Sequence, residues 1–239
     1  MNARLAHVKA IVFDTFGSVV DWRGSIARDL GAWGAREGLQ ADWLRLADLW
    51  RAGYQPQLER VRSGSIGFLP LDELHDQILG GLLPLLGLQG LGAAQRDHVN
   101  HVWHRLDPWP DAVAGLARLK HRYVIGPLSN GSIALLVALA KHGGLPWDAI
   151  FSAEHFQRYK PHPDTYLGVA RQLQLEPAQV MMCAAHNGDL RAARACGLAT
   201  GFFARPAEYG PQQRTDLAAE EAWDVVAEDI EDLATRMGC

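Results

Sequence analysis

The chain has 239 residues, 48% of them apolar and 21% charged, with a net charge of −4. That length suits one large domain carrying an insertion, and the apolar share is enough for a sizeable core. No Lys/Arg block is present, which argues against a nucleic-acid partner.

Residues 1–9 are short and polar and lack the apolar segment of a secretory signal. Residues 8–13 form a β-rich run that ends at Asp14 and a loop, Thr15-Phe16-Gly17-Ser18. A buried strand delivering an acid into a Gly-containing loop fits the first strand of an α/β sheet. From Trp22 to about Arg105 the patterning turns helical, over residues 25–37, 41–61, 71–86 and 93–103. Trp43, Leu46, Ala47, Trp50 and Tyr54 keep a helical period in the second of these. No strand interrupts them, so residues 20–105 read as an all-helical insertion. The most apolar stretch, 78–94, is broken by Pro84 and five glycines and is no membrane span.

After Asp107-Pro108-Trp109-Pro110 strands and helices alternate. Helices are expected over 111–120, 132–142, 163–173 and 190–196, and strands over 123–128, 149–151, 180–184 and 199–203. A strand at 225–227 and a last helix close the chain. This alternation predicts a parallel, doubly wound sheet, whose site lies beyond the C-terminal strand ends. Residues 1–19 and 106–239 would form that core. Cys183, Cys196 and Cys239 are scattered, without metal-like spacing. Reduced thiols in a cytoplasm are the simplest reading.

Four strand ends carry polar residues. An acid at the Asp14 position can merely cap a turn, but a carboxylate held by loop donors stays ionised and can act as a nucleophile. Ser129-Asn130-Gly131 is good turn chemistry, and equally a set of donors for an anion at a helix N-terminus. Most lysines are solvated, but Lys160 sits in Lys160-Pro161-His162-Pro163, a fixed loop before a helix. Near Asp14 it would keep that carboxylate charged. Asp189 opens a helix and can serve as its cap while facing the site. His186 is on the same loop, Ala184-Ala185-His186-Asn187-Gly188-Asp189. Their convergence past strand ends argues for one site.

In order and spacing these segments resemble the four motifs of the haloacid dehalogenase superfamily across essentially the whole chain. The resemblance implies a Rossmann-like core with a helical cap inserted after the first motif. Superfamily phosphatases carry a second Asp two residues after the nucleophile; here that position is Phe16, and Leu190 to Ala193 supply no second acid for magnesium. The pattern is instead similar to the (S)-2-haloacid dehalogenase branch: an aromatic at 16, a hydroxyl at Ser18, Ser-Asn-Gly, Lys-Pro followed by Tyr166, and Leu49-Trp50-Arg51 in a cap helix.

That branch implies a metal-free, cofactor-free hydrolysis of short 2-haloacids. Asp14 would displace halide, and water would cleave the resulting ester. Arg51 and Asn130 would cradle the halide, and Ser18, Ser129 and the Thr15–Phe16 loop would hold the substrate carboxylate. Lys160 would keep Asp14 ionised, Asp189 would activate water, and Tyr166 would hydrogen-bond within the network. Motif four departs from the family, with His186 where Asn is expected and Gly188 where Trp is expected; His186, with Asn187 beside it, could contact the water, the halide or Asp14. The variant suits a small substrate such as a haloacetate, including fluoroacetate. Two rivals are a magnesium-dependent phosphatase and a non-catalytic binding protein. The resemblance also implies a homodimer.

Overall fold

The computed structural model describes residues 5–239, so the first four positions of the polar N-terminal stretch lie outside it. Strand β1 (Ala10–Phe13) is buried along its length. Four helices follow before the next strand: α1 (Trp22–Glu37), α2 (Trp43–Arg62), α3 (Leu71–Leu82) and α4 (Ala93–Asn100). Asp21 and Asp42 begin the first two by accepting backbone N–H bonds from Gly24 and Arg45. Pro84 cannot donate within a helix, so α3 stops at Leu82 and a short 3-10 turn, Pro84–Leu86, replaces its expected last turn. Likewise α4 gives way at His101 to a 3-10 segment reaching Arg105.

The chain re-enters the sheet through α5 (Ala112–Lys120) and β2 (Val124–Ser129). Then come α6 (Ile133–Gly143), β3 (Phe151–Ser152), α7 (Ala153–Phe156), α8 (Pro163–Leu173), β4 (Val180–Ala184), α9 (Asn187–Ala195), β5 (Ala199–Phe203), β6 (Val225–Ala227) and α10 (Ile230–Arg236). Strand β3 falls two residues later than the sequence pattern suggests, because only Leu128 and Ser129 of β2 find partners there.

All pairings are parallel, in the order β3-β2-β1-β4-β5-β6. Side chains alternate across the sheet, as a pleated strand requires. Ile11 and Phe13 join one buried cluster with α5, α10 and the inserted helices; Val12, Leu128 and Met182 join another with Tyr166 and Val169 of α8 and Leu190 of α9. Both faces are therefore covered, the arrangement of an all-parallel sheet. Strands β1 and β4 lie at the centre, and chain order reverses between them, so the crevice opens past Phe13.

The inserted helices pack on an aromatic cluster. Trp103 stacks on His75 at 4.3 Å between ring centres and meets Trp50 and Phe16 edge-on at 5.7 and 5.6 Å. Burial pushes the His75 imidazole down to about 3. Fully burying side chains of the size of Leu46 and Leu58 contributes roughly 1.5–3 kcal/mol each. Where the chain leaves the sheet and returns to it, the two crossings are tied together: Asp21 N–H donates to the Asp107 carbonyl, and Trp109 N–H to that of Val19. Among the described residues no helix is long and apolar enough to cross a membrane.

Candidate active site

A cavity of about 450 Å³ opens between the strand ends and the inserted helices. Asp14 lies at its floor, one residue past β1, its N–H donating to the Cys183 carbonyl of β4 at 3.0 Å. Its two carboxylate oxygens are held differently. Oδ1 accepts from Lys160 Nζ at 2.9 Å. Oδ2 accepts from Ser18 Oγ at 2.7 Å and lies 2.9 Å from His186 Nδ1. Burial opposes ionisation here, but the ammonium and imidazole contacts outweigh it and hold the carboxyl well below the usual carboxylate range.

Lys160 bridges two acids, since its Nζ also donates to Asp189 Oδ2 at 2.5 Å. Burial disfavours the ammonium, yet Asp14 and Asp189 raise its affinity for the proton above the ordinary lysine value. Asp189 Oδ1 accepts from the Tyr166 hydroxyl at 2.5 Å. Burial and the negative charge of Asp189 together push the Tyr166 phenol up, so it remains a donor. Asn130 aligns the lysine loop: its Oδ1 accepts the Lys160 N–H at 2.8 Å, and its Nδ2 donates to the Tyr54 hydroxyl at 3.0 Å. From the insertion, Arg51 lies over the Tyr54 and Trp22 rings at 4.8 and 5.6 Å. Burial weakens its hold on the proton, but Tyr209 and Glu208 more than restore it.

Asp14, Phe16, Arg51, Asn130, Lys160, Tyr166, His186 and Asp189 all line this cavity. Four other residues singled out from the sequence do not. The Ser18 hydroxyl is engaged by Asp14 and by the Ala185 N–H at 2.9 Å, so it supports the carboxylate from behind. Ser129 Oγ accepts from the Gly131 N–H within its own turn. Thr15 is buried and its hydroxyl has no partner among the described residues. Asn187 corrects the sequence expectation most clearly. Its amide faces away, donating to Asp216 and the Ala218 carbonyl and accepting from the Glu220 N–H and Trp223 Nε1. It pins the 204–224 segment instead of facing substrate.

That segment brings residues the sequence did not flag. Tyr209 and Asp216 line the cavity, as do Tyr54, Gln55 and Arg62 of α2. Glu208 is 1% exposed and sits behind His186, with Oε2 at 2.8 Å from Nε2. Its Oε1 accepts from Trp22 Nε1 at 3.0 Å and lies 3.8 Å from Arg51. Gly17 makes room for it: φ is +85°, and a Cβ there would fall 2.1 Å from Glu208 Oε1.

The arrangement supplies an ionised carboxylate on the cavity floor, a lysine ion-paired with it and with a second acid, and a cationic wall. Residues 8–197 match the haloacid dehalogenase-like hydrolase family model. The (S)-2-haloacid dehalogenase of Xanthobacter autotrophicus is 30% identical over 205 residues, 83% of this chain and 76% of that protein. The solved structure of the defluorinating L-2-haloacid dehalogenase Rha0230 is 46% identical, with a TM-score of 0.93 over 97% of this chain and 96% of that one. An L-2-haloacid dehalogenase from Xanthobacter autotrophicus with chloropropionic acid covalently bound aligns at 25% identity and a TM-score of 0.77, covering 95% and 97% of the two chains. By sequence and by fold, the chain belongs to the haloacid dehalogenase-like hydrolase family.

Proposed function

We propose that this protein hydrolyses short 2-haloalkanoic acids to 2-hydroxy acids through an ester on Asp14. The observation that carries the reading is the buried, ion-paired Asp14 beside Phe16, which offers the cavity a ring and no proton donor. A phosphatase of this family would use an acid at position 16, so that alternative has less support. The relative with covalently bound chloropropionate supports an ester intermediate, and the defluorinating relative supports fluoroacetate as a substrate to test.

In the first step Asp14 Oδ1 attacks the halogen-bearing carbon and the C–X electron pair leaves with the halide. Arg51 and the remaining N–H of Asn130 take up that charge in a partly desolvated setting. Neither Ser18 nor Ser129 lines the cavity, so we assign the substrate carboxylate to Arg62, the second guanidinium of the lining, which donates to the Lys160 carbonyl and Gln55 and keeps one Nη1 hydrogen for it. Asp189 serves the hydrolytic water. The division into a core of residues 1–19 and 106–239 and a cap of 20–105 belongs to this reading. Three free cysteines support a cytoplasmic setting, and a homodimer follows from family resemblance.

The test is halide release from chloroacetate, fluoroacetate and each 2-chloropropionate enantiomer, in EDTA, with Asp14→Asn as control. Release that persists in EDTA and vanishes in the variant is the expected result. Absence of release from every haloacid would refute the proposal and move the search to phosphate esters with magnesium.

A further inference from the structure

We infer that His186 and Ser18 form the donor pair that stabilises the oxyanion when the Asp14 ester is hydrolysed, with Glu208 as the positioning residue that aims His186. This deepens the dehalogenase reading and rests on it.

The argument begins with the unequal partners of the Asp14 oxygens. Oδ2 faces two donors, Ser18 Oγ at 2.7 Å and His186 Nδ1 at 2.9 Å, which engage both its lone pairs. Among the described residues Oδ1 accepts from Lys160 alone, at 2.9 Å, and keeps a lone pair for attack. Alkylation therefore falls on Oδ1, and Oδ2 becomes the carbonyl oxygen of the ester. That oxygen is already in contact with two donors. Those donors are fixed before reaction, which is what electrostatic stabilisation of a tetrahedral oxyanion requires.

His186 has an acid on each side. Nδ1 is 2.9 Å from Asp14 Oδ2 and Nε2 is 2.8 Å from Glu208 Oε2. Ionised carboxylates only accept, so both ring nitrogens carry hydrogen and the ring is an imidazolium. Two cations, Lys160 and His186, contact the Asp14 carboxylate directly. Esterification removes the charge of Asp14 and leaves both facing a neutral ester. The oxyanion restores a negative charge at Oδ2 beside His186, so the protein environment favours the hydrolytic transition state over the ester.

Glu208 is built into this arrangement. It is buried, bonded by Trp22 and His186, and admitted by the missing side chain of Gly17. A carboxylate buried without partners is strongly unfavourable, and here the imidazolium and the Trp22 N–H offset that burial.

In the hydrolytic step water adds to Asp14 Cγ and gives a proton to Asp189. The C=O pair moves onto Oδ2, held by Ser18 O–H and His186 N–H. The Cγ–Oδ1 bond then breaks, and the departing alkoxide takes the proton from Asp189. The hydroxy acid leaves with Oδ1, and Asp14 carries the water oxygen and loses its remaining proton to solvent.

The experiment is rapid quench of enzyme with excess chloroacetate, reading chloride by time and carboxymethylated Asp14 by intact mass. Wild type, His186→Ala, His186→Asn, Ser18→Ala and Glu208→Gln are compared, with folding checked by circular dichroism. The expected result for His186→Ala is a retained burst near one equivalent of chloride. Turnover is then slowed about 10²–10³-fold, the loss typical of one oxyanion donor, and ester accumulates. Ser18→Ala shows the same pattern, Glu208→Gln a smaller accumulation, and His186→Asn recovers turnover because it retains an N–H donor. A burst that slows in step with turnover, with no ester, places His186 in the displacement step and overturns the assignment. Unchanged hydrolysis in both His186→Ala and Ser18→Ala does the same. Wild-type enzyme that releases no chloride overturns the dehalogenase reading itself, and the assignment with it.

Discussion

Replacing Lys160 by Met tests how far the site depends on one ammonium. Its Nζ lies 2.9 Å from Asp14 and 2.5 Å from Asp189, and its side chain is 8% exposed. Removing one member of a buried pair costs about 3–5 kcal/mol, since the partner charge stays buried. Here two carboxylates stay behind, and the folded variant relieves them by binding a proton. In the wild type the Asp14 carboxyl is depressed and the Lys160 ammonium raised, so neither titrates between about pH 5 and 8. In the variant, burial and the neighbouring Asp189 lift the Asp14 carboxyl. The folded state then holds a proton that the unfolded chain lacks above about pH 5, and stability falls as pH rises, by up to about 1.4 kcal/mol per pH unit. Urea unfolding of both proteins at intervals across that range measures it, and halide release should be lost with the ionised nucleophile. A stability difference that stays flat with pH would show that Lys160 does not set the charge of Asp14.

Arg51→Leu should lower kcat about 10²-fold or more, and more for fluoroacetate than for chloroacetate, because fluoride concentrates the departing charge; ion-selective electrodes for the two halides measure it. Gly188 lines the cavity and a Cβ there meets nothing within 4 Å. Gly188→Ala should therefore fold normally, whereas Gly188→Trp should raise KM for 2-chloropropionate more than for chloroacetate, and equal shifts would count against a size-limiting role. Asn187→Ala loses four hydrogen bonds that tie α9 to the 204–224 segment, at about 1 kcal/mol each, read as a lower urea midpoint.

The sheet is legible in the sequence because buried parallel strands read as apolar runs between polar loops. Val180–Ala184 and Ala199–Phe203 fall where the pattern puts them. Helix ends depend on local chemistry that periodicity misses, as Pro84 shows by ending α3 early. Asp14, Lys160, His186 and Asp189 are legible because each follows or precedes a strand or helix whose direction fixes where it points. Ser18 and Ser129 carry the right chemistry in the right loops, but Ser18 turns to Asp14 and Ala185 and Ser129 to the Gly131 N–H, and neither lines the cavity. Glu208 is invisible to such reasoning. It lies in a stretch without regular structure, and its partners Trp22 and His186 are 186 and 22 residues away in the chain. In the sequence only the glycine at position 17, which lacks a Cβ, marks where that carboxylate approaches.

Between β5 and β6 the chain takes no strand or helix, yet it sends Glu208, Tyr209 and Asp216 to the site. A segment outside the sheet can change length or composition without shifting any strand register. Through Glu208 it holds His186 on one side and approaches Arg51 on the other, and through Tyr209 and Asp216 it walls the cavity. Drift or design in residues 204–224 can therefore reshape the cavity wall and re-aim His186 while every strand stays in register.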